Sequence, residues 1–145
     1  MKMIIIGLLI MFLLAGNTKT SQYQIRGTIH DLPNLENKTT GNIHIFLLTE
    51  NTFQKPYKGI REIEVDVKNQ QKSVDFIIND VKPGVYGLRC YLDKNNNNEL
   101  DRFLMIPKEP WTLSWKNNEK RIPPDFEDIS FTVRKNLTMD LYLDD

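Results

Sequence analysis

Five oxygen-bearing side chains occupy alternate positions of one polar stretch near the middle of the chain. They follow an apolar run, residues 85–92, and are Asp93, Asn95, Asn97, Glu99 and Asp101. Alternate residues of a tight loop can direct their side chains to one point, and Ca²⁺ in proteins is bound by carboxylate, amide and carbonyl oxygens. The sequence therefore predicts a metal site formed by these five residues, with Ca²⁺ as its cofactor.

Alignment on an EF-hand type loop gives each of these positions a role. Asp93, Asn95 and Asn97 fill the first, third and fifth ligand positions. Glu99 would offer its backbone carbonyl, and Asp101 fills the ninth position. This agreement in spacing favours a calcium loop over an arbitrary polar run.

The alignment departs from such loops at two positions. Asn98 stands where the loop needs a positive φ, which asparagine tolerates next best after glycine. Leu104 stands at the twelfth position, where a bidentate Glu belongs, so the predicted affinity is weak unless Glu109 or Asp125 completes the site. In the alternative interpretation, the Asn and Asp side chains bond to nearby backbone groups and form a turn without an ion.

The sequence contains no motif typical of catalysis. His30 and His44 are its only histidines, and both are interpreted as strand residues at the surface. Two acidic pairs could be imagined as the carboxylates of a glycoside hydrolase: Glu99 with Asp101, and Glu127 with Asp128. Because adjacent acids in turns are usually solvated, we predict that the protein is not an enzyme.

Two tryptophans provide a candidate binding surface. If residues 111–115 form a strand, Trp111, Leu113 and Trp115 share one face. Two exposed indoles on one face could stack on sugars or dock a partner. The favoured interpretation is that they close one end of the core together with Phe103 and Phe126, since aromatic side chains bury large areas.

Composition limits the protein class. A chain of 145 residues suits one domain, and its formal net charge of zero gives no basis for a nucleic-acid partner. Cys90 is the only cysteine, so no intramolecular disulfide can form. Because Cys90 lies within an apolar run, it is interpreted as a small buried hydrophobic residue.

The amino terminus has the three-part layout of a secretory signal peptide. Lys2 precedes the apolar run 4–14, and Ala15 and Gly16 supply small residues before the chain turns polar. The run is shorter than the roughly 20 residues that span a bilayer. We therefore predict a signal peptide over residues 1–16 and a single domain over residues 17–145, with a retained membrane anchor as the alternative. The mature chain is expected to be periplasmic, cell-surface or secreted, without a stable membrane span.

Beyond the signal, apolar residues recur with a period of two, which indicates strands. No helix is predicted after residue 16, and residues 107–124 are expected to form a long ordered connection with at most one short strand. The last two strands, 128–133 and 137–143, are predicted to pair antiparallel. Seven or eight short strands separated by turns predict an all-β, antiparallel β-sandwich of Ig-like or transthyretin-like type. A barrel is the alternative, and the long connection 107–124 favours the sandwich.

Four segments carry a family resemblance in the same order along the chain. They are residues 81–86 (VKPGVY), 93–101 (DKNNNNELD), 106–109 (IPKE) and 124–128 (PDFED). In these segments the chain resembles the DUF2141 family, which implies a small exported bacterial protein of unknown function. Leu92, Asn98 and Met105 stand where that family has His, Gly and Gly. The resemblance therefore implies a loosened loop. Because Leu92 replaces the His, the resemblance does not imply any site that depends on that His.

Together these patterns predict an exported, non-enzymatic binding or accessory module, stabilised by Ca²⁺ at the loop. Its partner would be a protein or a glycan. The first alternative is a carbohydrate- or protein-binding surface around Trp111 and Trp115. The second is a hydrolase built on the acidic pairs.

Overall fold

The computed structural model describes residues 21–35, 40–104 and 106–144. The predicted signal peptide, residues 1–16, lies outside these described residues. Within them the chain forms ten strands: β1 (Tyr23–His30), β2 (Thr40–Leu48), β3 (Arg61–Lys68), β4 (Val74–Val81), β5 (Gly84–Asp93), β6 (Arg102–Phe103), β7 (Ile106–Pro107), β8 (Trp111–Leu113), β9 (Phe131–Val133) and β10 (Leu137–Tyr142). Two four-residue helices, α1 (Glu50–Phe53) and α2 (Phe126–Ile129), and a 3-10 helix (Lys116–Asn118) complete the described elements.

Two sheets enclose the main core. One has the order β10-β1-β4, and the other has the order β3-β2-β5-β8, with β9 paired to the start of β5. Apolar side chains from both sheets form one buried cluster, which includes Ile25 and Ile78 from the first and Ile45 and Leu88 from the second. The predicted all-β sandwich is confirmed. The number of described strands exceeds the prediction because strands of two or three residues are too short to show a period.

The strands β2 and β5 are buried on both faces. In β2, Ile45 and Leu47 enter the main core, whereas Phe46 and Leu48 enter a second cluster on the opposite face of the same sheet. The helices α1 and α2 contribute Phe53 and Ile129 to this second cluster, and the edge strand β8 of the same sheet contributes Leu113. Burial on both faces explains why β5 reads as a nearly continuous apolar run in the sequence.

The prediction that no helix follows residue 16 is wrong at two places. Thr49 and Asp125 begin α1 and α2, each through a capping box in which side chains and backbone N–H groups bond reciprocally. A four-residue helix spans little more than one turn, so it leaves no 3.6-residue period to detect. The predicted strand 128–133 is accordingly wrong at residues 128–130, because the first two belong to α2 and Ser130 is its C-cap.

The predicted antiparallel pairing of the last two strands is also wrong. The strand β9 pairs antiparallel with β5 in one sheet, and β10 pairs parallel with β1 in the other. The short joint between β9 and β10 therefore crosses from one sheet to the other and does not form a hairpin. Within the part of the chain that the structure describes, no helix has the length and apolar character that crossing a membrane requires.

The interpretation of Cys90 as a buried residue is confirmed. Its side chain lies in the main core, and burial raises the pKa of the thiol to about 12. The thiol is therefore protonated near neutral pH, and a protonated thiol is a poor nucleophile.

Candidate functional site

The candidate site is the loop that leaves the central strand β5, residues 93–101, which we call the Asx loop. Its first residue, Asp93, is the last residue of β5 and is fully buried. Leu100, near its end, is buried in the second apolar cluster, and its backbone carbonyl accepts a hydrogen bond from Tyr57 (2.9 Å). The loop is therefore fixed at both ends by the core.

The buried carboxylate of Asp93 organises the first half of the loop. Its Oδ1 accepts hydrogen bonds from the backbone N–H groups of Asn95 (3.1 Å), Asn96 (2.6 Å) and Asn97 (3.3 Å), and its Oδ2 accepts one from Asn98 (2.8 Å). Four donors satisfy a charge that would otherwise be costly to bury. The chain consequently wraps around Asp93.

Three further predicted ligands meet on the outer side of the loop. The amide nitrogen of Asn95 donates to Asp101 Oδ2 (2.7 Å), and that of Asn97 donates to Asp101 Oδ1 (3.0 Å). The amide oxygens are turned toward the backbone: Asn95 Oδ1 accepts the N–H of Asn97 (3.1 Å), and Asn97 Oδ1 accepts the N–H of Glu99 (2.9 Å). The side chains thus converge as an Asx-bonded turn.

Glu99 is the predicted ligand that this convergence leaves out. Its side chain is exposed, and its backbone N–H supplies its contact with the loop. The alignment assigned the backbone carbonyl of Glu99, not its carboxylate, as the ligand of the ion. The exposed position of the carboxylate is therefore compatible with that assignment. The structure therefore brings together the side chains of Asn95, Asn97 and Asp101, and the Asp93 carboxylate binds the backbone of the same loop.

Two asparagines of the loop adopt the left-handed conformation. Asn96 has φ 59° and Asn98 has φ 62°. Asparagine is among the residues that tolerate this region best after glycine. The substitution of Asn98 for the family's Gly is thus compatible with the positive φ that the alignment requires, and the loop keeps its turn.

Glu109 closes the loop from outside, as one of the two carboxylates suggested from the sequence. Its side chain is buried, and it accepts the backbone N–H of Lys94 at Oε1 (2.7 Å) and that of Asp101 at Oε2 (3.2 Å). Burial raises the pKa of Glu109, the two N–H donors lower it, and the carboxylates of Asp93 and Asp101 raise it further, leaving it above its ordinary value. The other suggestion, Asp125, caps α2 and forms an ion pair with Arg121 (3.4 Å).

The interpretation of His44 as a surface residue is wrong. Its side chain is 1% exposed, and its ring stacks on Tyr91 with a centroid distance of 5.0 Å. Its Nδ1 lies 2.9 Å from Glu62 Oε1, and its Nε2 lies 3.7 Å from Asp93 Oδ2. The apolar neighbours on its face of β2, Phe46 and Leu48, were the signal in the sequence that this face is covered.

The other histidine and the acidic pairs lie nearer the surface. His30 is partly exposed and contacts Asp140 (3.3 Å). Asp128 belongs to the capping box of α2, and Glu127 is exposed beside it. The hydroxyl of Ser130 donates to the backbone carbonyl of Glu127 (3.4 Å), not to its carboxylate.

The two tryptophans are partly buried and pack against the second apolar cluster together with Phe126. Phe103, expected to join them, is instead 60% exposed on the β6–β7 hairpin. Trp115 also lines a cleft of about 280 Å³ that Trp111 does not reach. The polar and aromatic residues around that cleft include Asp31, Asn118, Lys120, Asp140 and Tyr142.

The fold and the loop define a small β-sandwich that carries an Asx-rich connection at the exit of a central strand. The chain belongs to the DUF2141 family, described as an uncharacterized protein conserved in bacteria, whose sequence model matches residues 31–140. Comparisons with curated proteins and with solved structures gave no match. The family assignment agrees with the resemblance found in the sequence.

Proposed function

We propose that this protein is an exported, non-enzymatic binding or accessory module whose Asx loop takes up Ca²⁺. The observation that supports the proposal is the meeting of Asn95, Asn97 and Asp101 on the outer side of a loop held by buried Asp93. In this arrangement the loop is already folded when the ion arrives, so little ordering entropy opposes binding.

The contacts of the loop also imply weak affinity. The amide nitrogens of Asn95 and Asn97 occupy both oxygens of Asp101, so a cation at this point must displace them. Each amide oxygen accepts one backbone N–H and retains a second lone pair with which to bind the ion. Because the loop lacks the bidentate Glu of EF-hands, we expect a dissociation constant in the range of extracellular calcium modules, about 0.1–1 mM.

Thermal unfolding with and without Ca²⁺ tests the proposal. At a concentration ten times the dissociation constant, binding to the folded state adds about 1.4 kcal/mol, which raises the Tm by about 3–5 °C. The same concentration of Mg²⁺ should give a smaller shift, because Mg²⁺ requires a stricter octahedral geometry.

Matched variants connect the shift to the loop. Asp101→Asn removes the carboxylate that faces both amides and should abolish the Ca²⁺ shift. Glu99→Gln removes an equal charge from a side chain that points away, and should retain it. If the unmodified protein shows no Ca²⁺ shift, or if Asp101→Asn retains the full shift, the ion has no role at this loop.

Export is tested separately by mass spectrometry of the protein recovered from its native compartment. The expected mature chain lacks residues 1–16, and recovery of the intact chain from the cytoplasm would contradict export. This result does not depend on calcium.

A second candidate function is carbohydrate binding at the Trp115 cleft. Trp115 and Tyr142 supply aromatic surface, and Asp31, Asn118 and Asp140 supply hydrogen-bonding groups around it. Titration with oligosaccharides should change the fluorescence of the protein, and Trp115→Phe should remove that change while Trp111→Phe preserves it. Shielding of both indoles from iodide quenching, with no response to any oligosaccharide, would exclude this use of the cleft.

A further inference from the structure

A second group of potential metal ligands lies beside the Asx loop, where β2 pairs with the edge strand β3. His44 is opposite Glu64 in the register of the two strands, and the neighbouring pair is Phe46 with Glu62. Since residues two apart in a strand point to the same face, Glu62 and Glu64 both lie on the side of His44. One ligand atom from each of the three residues falls within 4.8 Å of the others.

The imidazole of His44 is aimed at these carboxylates by its surroundings. Its Nδ1 lies 2.9 Å from Glu62 Oε1 and 3.9 Å from Glu64 Oε1. Tyr91 stacks on the ring at 5.0 Å and Phe46 lies nearly parallel at 6.5 Å, so the ring plane is fixed by packing. One nitrogen therefore faces the surface carboxylates, and the other faces the interior.

The interior nitrogen provides a second, independent observation. Nε2 of His44 is buried without a hydrogen-bond partner among the described residues, and Asp93 Oδ2 lies 3.7 Å away. Histidines that bind a metal through one ring nitrogen usually direct the N–H of the other toward a carboxylate or carbonyl. With a cation on Nδ1, the proton resides on Nε2 and points toward Asp93, which gives this buried atom an attractive neighbour.

We propose that His44 Nδ1, Glu62 and Glu64 form a binding site for one divalent transition-metal ion of the Zn²⁺ type. One imidazole nitrogen and two carboxylate oxygens are ligands that Zn²⁺ accepts, and a set of three protein ligands leaves a fourth position for water. The two carboxylates balance the charge of the ion. On binding, the hydrogen bond between Nδ1 and Glu62 gives way to the metal bond, and any proton on Nδ1 passes to solvent.

The site is distinct from the proposed calcium site, because it uses no side chain of the Asx loop as a ligand. The competing explanation for the same geometry is a protonated His44 that donates from both nitrogens, to Glu62 and to Asp93. That arrangement requires no metal, so direct binding measurements distinguish the two.

Isothermal titration calorimetry of the purified protein with ZnCl₂ at pH 7 is the first test. We expect one site per chain, with affinity reduced at least about tenfold in Glu62→Gln and again in Glu64→Gln. Asp66→Asn is the matched control. Asp66 is exposed, lies two residues further along the same face of β3 and is outside the ligand group. The Zn²⁺ affinity of this variant should therefore stay within about twofold of that of the native protein. Both Glu variants alter exposed side chains and should fold normally.

Nitrogen NMR of the imidazoles is the second test. Zn²⁺ should shift the Nδ1 resonance of His44 and leave a proton on its Nε2, whereas the resonances of His30 should not move. Unchanged affinity in His30→Gln and in Asp101→Asn would keep the site separate from the other histidine and from the calcium loop. The proposal is overturned by absence of Zn²⁺ binding, by full binding in the Glu62→Gln, Glu64→Gln double variant, or by loss of binding in His30→Gln.

Discussion

The carboxylate of Glu109 accepts the backbone N–H of Asp101, the last residue of the Asx loop, at 3.2 Å. The same carboxylate accepts the N–H of Lys94, near the beginning of the loop, at 2.7 Å. A single buried side chain from beyond the β6–β7 hairpin therefore ties together both ends of the loop. Asp93 performs the corresponding task from inside, through four backbone N–H groups.

Glu109 should give the protein a measurable dependence of stability on pH. Because its pKa is raised on folding, mainly by burial, the folded state holds the proton more tightly than the unfolded state does. The stabilising contribution is then complete below the unfolded pKa, about 4.3, and declines as the pH rises through the folded pKa. We expect the unfolding free energy of the native protein, relative to that of Glu109→Gln, to fall over this range.

Urea unfolding at a series of pH values, in EDTA, measures this difference. Glu119→Gln alters an exposed glutamate and is the control, which should follow the native protein at every pH. An unfolding free energy of the native protein that rises with pH relative to that of Glu109→Gln would contradict the direction of the pKa shift.

Replacement of Asp93 should be the most damaging change within the loop. Asp93→Ala removes the acceptor of four backbone N–H groups, of which that of Asn97 keeps a second acceptor in Asn95 Oδ1, and each donor left unsatisfied costs free energy. We expect a loss of about 3 kcal/mol or more in urea unfolding without Ca²⁺. Asp101→Ala removes an acceptor of two exposed side-chain amides, and should cost about 1 kcal/mol or less. Equal losses in the two variants would contradict the central role of Asp93.

The sequence predicted that five side chains of the loop converge; those of Asn95, Asn97 and Asp101 do meet, whereas that of Glu99 is exposed. Spacing alone placed Asp93, Asn95, Asn97 and Asp101 in one turn, because side-chain direction in a short loop follows from position. The direction in which each amide faces depends on which backbone N–H groups are nearby. That information appears only when the turn is folded. Glu109 could be suggested but not assigned for the same reason, because its partners are the backbone N–H groups of Lys94 and Asp101.

The left-handed residue Asn98 gives a test of backbone strain in the same loop. At φ 62°, alanine is strained whereas glycine is not. Asn98→Ala should therefore lose about 1 kcal/mol, and Asn98→Gly should be neutral or gain up to about 0.5 kcal/mol. Chemical denaturation of both variants provides the comparison, and a stable Asn98→Ala protein would show that the loop adopts another conformation.

The strands that are long enough to show a two-residue period could be predicted from the sequence. The strands β1, β3 and β4 are long enough to alternate visibly, and their burial patterns largely follow that alternation. The strands β2 and β5 are buried on both faces, and their apolar residues mark them as strands without an alternating burial pattern. The partner of a strand is decided by packing between distant segments. No local pattern therefore indicated that β10 would lie parallel to β1, or that β9 would join the opposite sheet.

Gly27 tests the close approach of β10 to β1. A Cβ atom built on Gly27 would lie 1.9 Å from the backbone oxygen of Met139 and 2.9 Å from Phe76, and a backbone atom cannot move aside as a side-chain end can. Gly27→Ala should therefore cost at least about 2 kcal/mol and should reduce the hydrogen-exchange protection of β10. Gly41→Ala is the control, since its nearest neighbours are side-chain ends at 3.3 and 3.4 Å. A fully stable Gly27→Ala protein would refute the parallel pairing.

The buried thiol of Cys90 is a native probe of whether the central strand β5 opens locally, and it requires no substitution. Burial raises its pKa to about 12, so the reactive thiolate is scarce at pH 8, and the core excludes reagents of any size. We expect no reaction with a disulfide reagent in the folded protein, and one equivalent per chain in guanidinium chloride. The reaction rate in intermediate denaturant should follow global unfolding, because Cys90 lies in the part of β5, residues 89–91, that is paired with both β2 and β8. Rapid labelling under native conditions would show that the strand opens locally, and the Asx loop at its end would then lose its anchor.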